Sequence, residues 1–115
     1  MLQKFGLGTD IVTVKRFEDK PYFKNKRFYE KIFLDSEIEY CLNHRNNAIH
    51  FSGKFAVKES VKKSISKNIN FLDIETYHSN LKPKVKLKNN QNFDFLVSIS
   101  HEKEFAIATV VSEIF

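Results

Sequence analysis

One run in this chain is long enough for a helix of several turns, and its charges sit where a soluble helix does not usually put them. From about Ala48 to Lys67, apolar residues recur three and four apart, the period of an amphipathic helix. At about 100° per residue, Val57, Val61 and Ile65 take one side of an apolar arc, and Phe51 and Phe55 take the other. Lys54, Lys58 and Lys62 project between them at successive i,i+4 positions. Like charges at that spacing repel. Ammonium groups on this arc must either snorkel to the rim or meet an anion. Glu59 and Lys63, four apart, lie on a different face with the small residues Ser52 and Ala56. Small neighbours leave room for another group to approach. The plainer alternative is a solvated basic helix with one i,i+4 ion pair.

The rest of the chain reads mostly as strands. Residues 3–9 alternate, with Phe5, Leu7 and Thr9 on one face, and run into the β-branched Ile11-Val12-Thr13-Val14, which predicts a strand. Arg16 to Phe33 is polar and rich in aromatics, and Pro21 rules out one long helix there. Residues 35–44 predict a short helix, with Asp35 or Ser36 as N-cap, acids in the first turn, and Ile38, Cys41 and Leu42 on one face. Strands are predicted over 71–78, 84–88, 94–100 and 105–115, with a turn at 79–83 and a hairpin link at 101–104. A strand, then helices, then several strands is the order of an α+β domain with a mainly antiparallel sheet. With no repeat or linker in 115 residues, one domain spanning 1–115 is expected.

A formal charge of +5 favours an acidic partner, whether nucleic acid, anionic membrane, phosphorylated small molecule or acidic protein. Lys, Asn, Phe and Ile are abundant while Gly, Pro and Trp are scarce, the mark of a nucleotide-composition bias that lowers the information in any single Lys or Asn. The lone cysteine, Cys41, excludes an internal disulfide and fits a reducing compartment. The N-terminus shows no signal-peptide pattern and no apolar run is long enough to span a bilayer. The expectation is a soluble, cytoplasmic protein without a membrane partner.

Asp10 is the second anomaly, an acid inside an apolar β-branched run where Asp is disfavoured. Gly6 and Gly8 before it permit close approach of another backbone. Asp10 is either a capping residue at a strand end or a ligand for a hard divalent cation. His101 falls where a strand gives way to a turn, a place where most histidines are ordinary surface residues. No phosphate-binding loop, dinucleotide fingerprint, nucleophile elbow or zinc spacing is present. Two separated carboxylates, a set of lysines and one histidine suit Mg²⁺ with a phosphate-bearing ligand, in the manner of phosphoryl transfer.

Three segments in order, GLGTDIVTVKRF (6–17), SGKFAVKESVKKSI (52–65) and VSISHEKEFAIATVV (97–111), resemble the holo-[acyl-carrier-protein] synthase family of 4′-phosphopantetheinyl transferases. DIETYHSNLKP (73–83) resembles a fourth motif of that family. The resemblance implies a 4′-phosphopantetheinyl transferase-like fold, a role in fatty acid biosynthesis, and a homotrimer with interfacial active sites. It also implies transfer of phosphopantetheine from coenzyme A to a serine of an apo acyl carrier protein, with release of adenosine 3′,5′-bisphosphate. By the same resemblance, Asp10 and Glu59 hold Mg²⁺, and Lys63 stabilises charge on the leaving phosphate. The base that takes the serine proton is either a water or Glu59. Lys58 and Lys54 are expected on the anionic ligand, His101 on a coenzyme A phosphate, and Arg16 against the acidic face of the carrier protein. Lys54 replaces an arginine of the pattern, keeping the charge without the bidentate fork. Leu81 replaces a glycine, which calls the turn geometry into question.

Two other classes of function fit the composition. A small basic nucleic-acid-binding domain explains the charge and the aromatics, requires steep salt dependence, and has no use for Asp10 or Glu59. A protein-interaction module without catalysis makes both acids caps.

Overall fold

The computed structural model describes residues 2–89 and 92–115. Along the chain, strand β1 (Phe5–Thr13) leads into three short helices, α1 (Lys15–Glu18), α2 (Lys26–Glu30) and α3 (Asp35–Leu42), and then the long helix α4 (Asn47–Ile65). A hairpin follows, β2 (Ile74–Ser79) and β3 (Lys82–Leu87), and the strands β4 (Phe93–His101) and β5 (Phe105–Ile114) complete the chain. One sheet has the order β1-β5-β4 and the other is the β2-β3 hairpin. Every pairing is antiparallel, so the α+β architecture is the expected one. Among the described residues no helix is long and apolar enough to cross a membrane.

The glycines of β1 explain how the helix meets the sheet. A Cβ on Gly8 would lie 1.9 Å from the Ser60 carbonyl oxygen, and one on Gly6 would lie 1.7 Å from that of Ser64. The α4 backbone therefore rests directly on β1, which only glycine allows at these two positions. Hydroxyls stitch the contact: Ser60 donates to the Ala108 carbonyl at 3.1 Å, and Ser112 donates to the Ser64 carbonyl at 3.1 Å. The period-2 alternation of a strand then puts Asp10, two residues beyond Gly8, on the face of β1 that meets α4.

The aromatic stretch before α3 wraps the core more than it builds regular structure. Phe17, Tyr29, Phe33 and Phe51 are fully buried. The Tyr29 ring lies 4.6 Å from Phe51, and Phe33 lies 5.1 Å from it. Burying each such ring contributes about 1.5–3 kcal/mol, enough to hold two helices too short to be stable alone. The Tyr29 hydroxyl donates to the Lys20 carbonyl at 2.5 Å, and burial pushes its phenol up to about 12. α2 was not expected as a helix, and α1 only from the resemblance that put Arg16 on a helix, because a single turn carries no periodicity to read.

Four boundaries differ from expectation for identifiable reasons. The N-cap of α3 is Leu34, not Asp35 or Ser36, because the Glu37 carboxylate turns back to accept the Leu34 N–H at 2.7 Å. α4 stops at Ile65, with Ser66 in the left-handed region at φ 53°. The strand predicted from 71 begins at Ile74, after a 3₁₀ turn at Phe71–Asp73 whose Phe71 carbonyl accepts a hydrogen bond from Lys58 at 3.0 Å. The turn predicted over 79–83 shrinks to Asn80-Leu81, both at positive φ (52° and 65°), as a two-residue type I′ hairpin requires.

Candidate active site

The contact between β1 and α4 joins two of the residues singled out in the sequence and leaves a third, Glu59, on the same helix face. Lys63, on the last turn of α4, donates to Asp10 Oδ1 at 3.2 Å and to the Thr9 carbonyl at 2.9 Å. Its side chain is 54% exposed and that of Asp10 is 18% exposed. Glu59 sits one turn earlier on the same face of α4 and is half-buried. Among the described residues Glu59 has no ion-pair or hydrogen-bond partner, so the i,i+4 pair between Glu59 and Lys63 does not form. Lys63 has turned to Asp10 instead.

Two carboxylates and one half-exposed ammonium on these facing elements suit a hard cation with a phosphate ligand. Among the described residues no three His, Cys, Asp or Glu side chains converge on one metal position. A cation held here by Asp10 and Glu59 would leave its other positions to water and substrate oxygens, an arrangement that Mg²⁺ accepts and that an all-protein Ca²⁺ cage does not match. The donor set fits the expected ion.

Lys58 is not where a ligand-binding lysine belongs, and that expectation is corrected. Its side chain is wholly buried, and its ammonium donates to Glu37 Oε1 at 2.7 Å, to the Ile32 carbonyl at 2.8 Å and to the Phe71 carbonyl at 3.0 Å. All three protons are engaged inside the protein. Burial pushes this ammonium down in pKa, and Glu37 pushes back. Lys62 lies 3.6 Å above the Phe71 ring centroid, a cation–π contact where the sequence suggested only a solvated charge. The arc of lysines thus meets one buried acid from α3 and the faces of aromatic rings.

Lys54 and His101 line a second feature, a pocket of about 650 Å³ between α3, α4, the β2-β3 hairpin and β4. Tyr40, His50, Gly53, His78, Leu81 and Pro83 contribute to its wall. Three of the four histidines line this pocket, and the fourth, His44, packs on His50. His44 and His50 have ring centroids 3.8 Å apart, His78 stacks on Tyr40 at 4.7 Å, and His101 lies 6.2 Å from His50. Burial, followed by the charges of His44, His101, His78 and Lys54, pushes His50 down to about 4. Burial also lowers His78. Burial lowers Lys54, opposed by Cys41 and Glu37.

Arg16 is exposed on α1, with its guanidinium 5.3 Å over the Phe55 ring. Cys41 is buried, and burial pushes its thiol up to about 12, so it is a core residue and not a nucleophile. Sequence reasoning missed Tyr40, His44, His50 and His78, which come from α3, the loop after it, α4 and β2 and share no spacing. It also missed Glu37, although an interior-facing lysine on α4 demanded a buried acid somewhere.

With this geometry in hand, comparison with known proteins is informative. A family model described as the 4′-phosphopantetheinyl transferase superfamily matches residues 6–110. The holo-[acyl-carrier-protein] synthase of Thermodesulfovibrio yellowstonii is 40% identical over 110 residues, covering 92% of this chain and 96% of that protein. Among solved structures, a holo-(acyl-carrier-protein) synthase from Bacillus anthracis in complex with CoA (3′,5′-ADP) has a TM-score of 0.82 at 30% identity over 96% of each chain. The Helicobacter pylori holo-[acyl-carrier-protein] synthase in complex with coenzyme A has a TM-score of 0.81 at 33% identity, over 93% of this chain and 99% of that one.

Proposed function

The chain belongs to the 4′-phosphopantetheinyl transferase superfamily, and from that premise we propose that it transfers the phosphopantetheine arm of coenzyme A, Mg²⁺-dependently, to a serine of an apo acyl carrier protein. The observation that carries the reading is the Asp10–Lys63 contact between β1 and α4, with Glu59 one turn earlier on the same helix face, inside the region that the family model spans. The nucleic-acid alternative finds no support in these relatives. One of the cations that motivated it, Lys58, lies wholly inside the protein and is paired there with Glu37.

The chemistry follows from the side chains. Asp10 and Glu59 would hold Mg²⁺, which when bound neutralises and orients the pyrophosphate of coenzyme A. The serine oxygen of the carrier forms a bond to phosphorus as the bond to the departing adenosine 3′,5′-bisphosphate breaks. Lys63 reaches its site on a long, half-exposed stem, so its ammonium is able to leave Asp10 and follow the charge that builds on the leaving phosphate. Either Glu59 or a water takes the serine proton. Lys54 and His101, on the wall of the 650 Å³ pocket, supply the contacts to the phosphates of the nucleotide end. Arg16, exposed on α1, faces the acidic carrier, where charge complementarity raises the association rate and makes it salt-sensitive.

A homotrimer is supported by the sheet face turned away from α4. Phe5, Leu7, Ile11, Leu96 and Ile107 stand exposed there, at 42–72% of their full surface. An apolar face of that extent on a sheet calls for cover, and further copies of the chain supply it. We place the activity in the cytoplasm.

The test is to incubate the protein with coenzyme A, Mg²⁺ and an apo carrier, and to weigh the carrier. A gain of one phosphopantetheine mass, lost on chelation, is expected. No gain with several apo carriers would refute the assignment.

A further inference from the structure

Lys54 is a nearly buried cation whose hydrogen bonds run in one direction. Only 4% of the residue is exposed. Its ammonium donates to Thr76 Oγ1 at 3.0 Å and to the Thr76 carbonyl at 3.4 Å, and lies 4.7 Å over the Tyr40 ring. Thr76 Oγ1 in turn donates to Glu37 Oε2 at 2.6 Å. Glu37 also accepts the Thr76 N–H at 2.8 Å, the Leu34 N–H at 2.7 Å and the Lys58 ammonium at 2.7 Å. With both its oxygens accepting two donors each, Glu37 has no acceptor for a proton of its own and serves only as an acceptor. A hydroxyl has one proton and an ammonium only donates. The proton of Thr76 therefore goes to Glu37, and its lone pairs are left facing Lys54.

We propose that Thr76 is a positioning residue for coenzyme A binding: its hydroxyl, oriented by Glu37, fixes the Lys54 ammonium at the pocket wall where a ligand phosphate docks. The inference rests on the reading above that this pocket takes coenzyme A. A lysine carries a compact charge on a flexible four-carbon stem, and without an acceptor its head has several places to go. One is the Tyr40 ring face and another is the solvent. Holding the head in place beforehand removes part of the ordering cost of binding. Thr76 touches no ligand in this account and acts through Lys54. The same network ties β2 to α3 and, through Lys58, back to α4 one turn beyond Lys54. The pocket wall and the helix that carries Glu59 thus share one anchor.

Thr76→Val keeps the shape and removes the hydroxyl. Measured by calorimetry and by steady-state kinetics, it is expected to raise both the Kd and the KM for coenzyme A about tenfold, the weight of one hydrogen bond to a charged group. It should leave kcat within about twofold, and Thr76→Ser should restore both constants. In a Lys54→Met background, Thr76→Val should add no further loss, as two residues acting through one contact are non-additive. Wild-type affinity in a folded Thr76→Val protein, or an equal loss with and without Lys54, would overturn the proposal. Where Thr76→Val does not fold, Thr76→Cys, whose thiol is a weak hydrogen-bonding group, is read the same way. Wild-type protein that binds no coenzyme A would overturn the reading of the pocket and this inference with it. Wild-type binding that Thr76→Val leaves intact would overturn only the role of Thr76.

Discussion

Replacing Lys58 by methionine should come close to unfolding this protein. Lys58 and Glu37 form an ion pair at 2.7 Å with neither side chain exposed. Removing the lysine leaves a buried carboxylate with only three donors, the N–H groups of Leu34 and Thr76 and the Thr76 hydroxyl. It also strands the carbonyl of Ile32 and leaves that of Phe71 with only the Ile74 N–H. Breaking one side of a buried pair costs about 3–5 kcal/mol, against a total stability of about 5–15 kcal/mol for a domain. Glu37→Leu should cost at least as much, because it leaves an ammonium without its anion. The double variant carries no buried charge, only unpaired neutral groups, at about 1–3 kcal/mol each. The cost of the pair should therefore fall short of the sum of the singles by at least about 2 kcal/mol. The chain has no tryptophan, so urea unfolding is best followed by far-UV circular dichroism at one fixed protein concentration. Additivity within about 0.5 kcal/mol would show that the two side chains do not depend on each other, and the central anchor of the fold would be misassigned.

Gly8→Ala should destabilise the protein by about 3 kcal/mol or more, because its Cβ would sit 1.9 Å from a helix carbonyl; an unchanged urea midpoint would contradict the close contact of β1 and α4. Leu81→Gly should instead stabilise it by up to about 1 kcal/mol, because Leu81 holds a φ of 65° while 97% exposed; a lowered melting temperature would contradict this. His50 is pushed from 6.5 down to about 4 in the folded protein, so between those values the unfolded chain binds the extra proton. Stability should therefore fall as pH drops from 6.5 towards 4. His50→Phe should flatten that slope in a series of melting curves, and an unchanged slope would assign the acid sensitivity to other groups.

Legibility in the sequence followed the range of the interaction. Alternation and the 3.6-residue period are local, and they located β1, α3, α4 and the last two strands to within a few residues. The glycines at 6 and 8 announced a close approach, and the helix backbone is what approaches. The meeting of Asp10 with Lys63 was legible because strand and helix periods place each on a definite face, and those faces meet. Lys58 was misread because its partner, Glu37, is 21 residues earlier on another helix, and no spacing rule links two elements that pack by tertiary contact. The histidine-lined pocket was invisible for the same reason. α1 and α2 are single turns held by buried rings, so nothing local marks them.

The most direct test of the account is the carrier-mass assay run on Asp10→Asn and Glu59→Gln, beside melting curves of both variants. Among the described residues Glu59 has no partner to lose, and Asp10 loses one half-exposed contact to Lys63, so stability should change by less than about 1 kcal/mol in each. Phosphopantetheine transfer should vanish in both, with the fold intact. Transfer at the wild-type rate in either variant would contradict the claim that these two carboxylates form the catalytic centre.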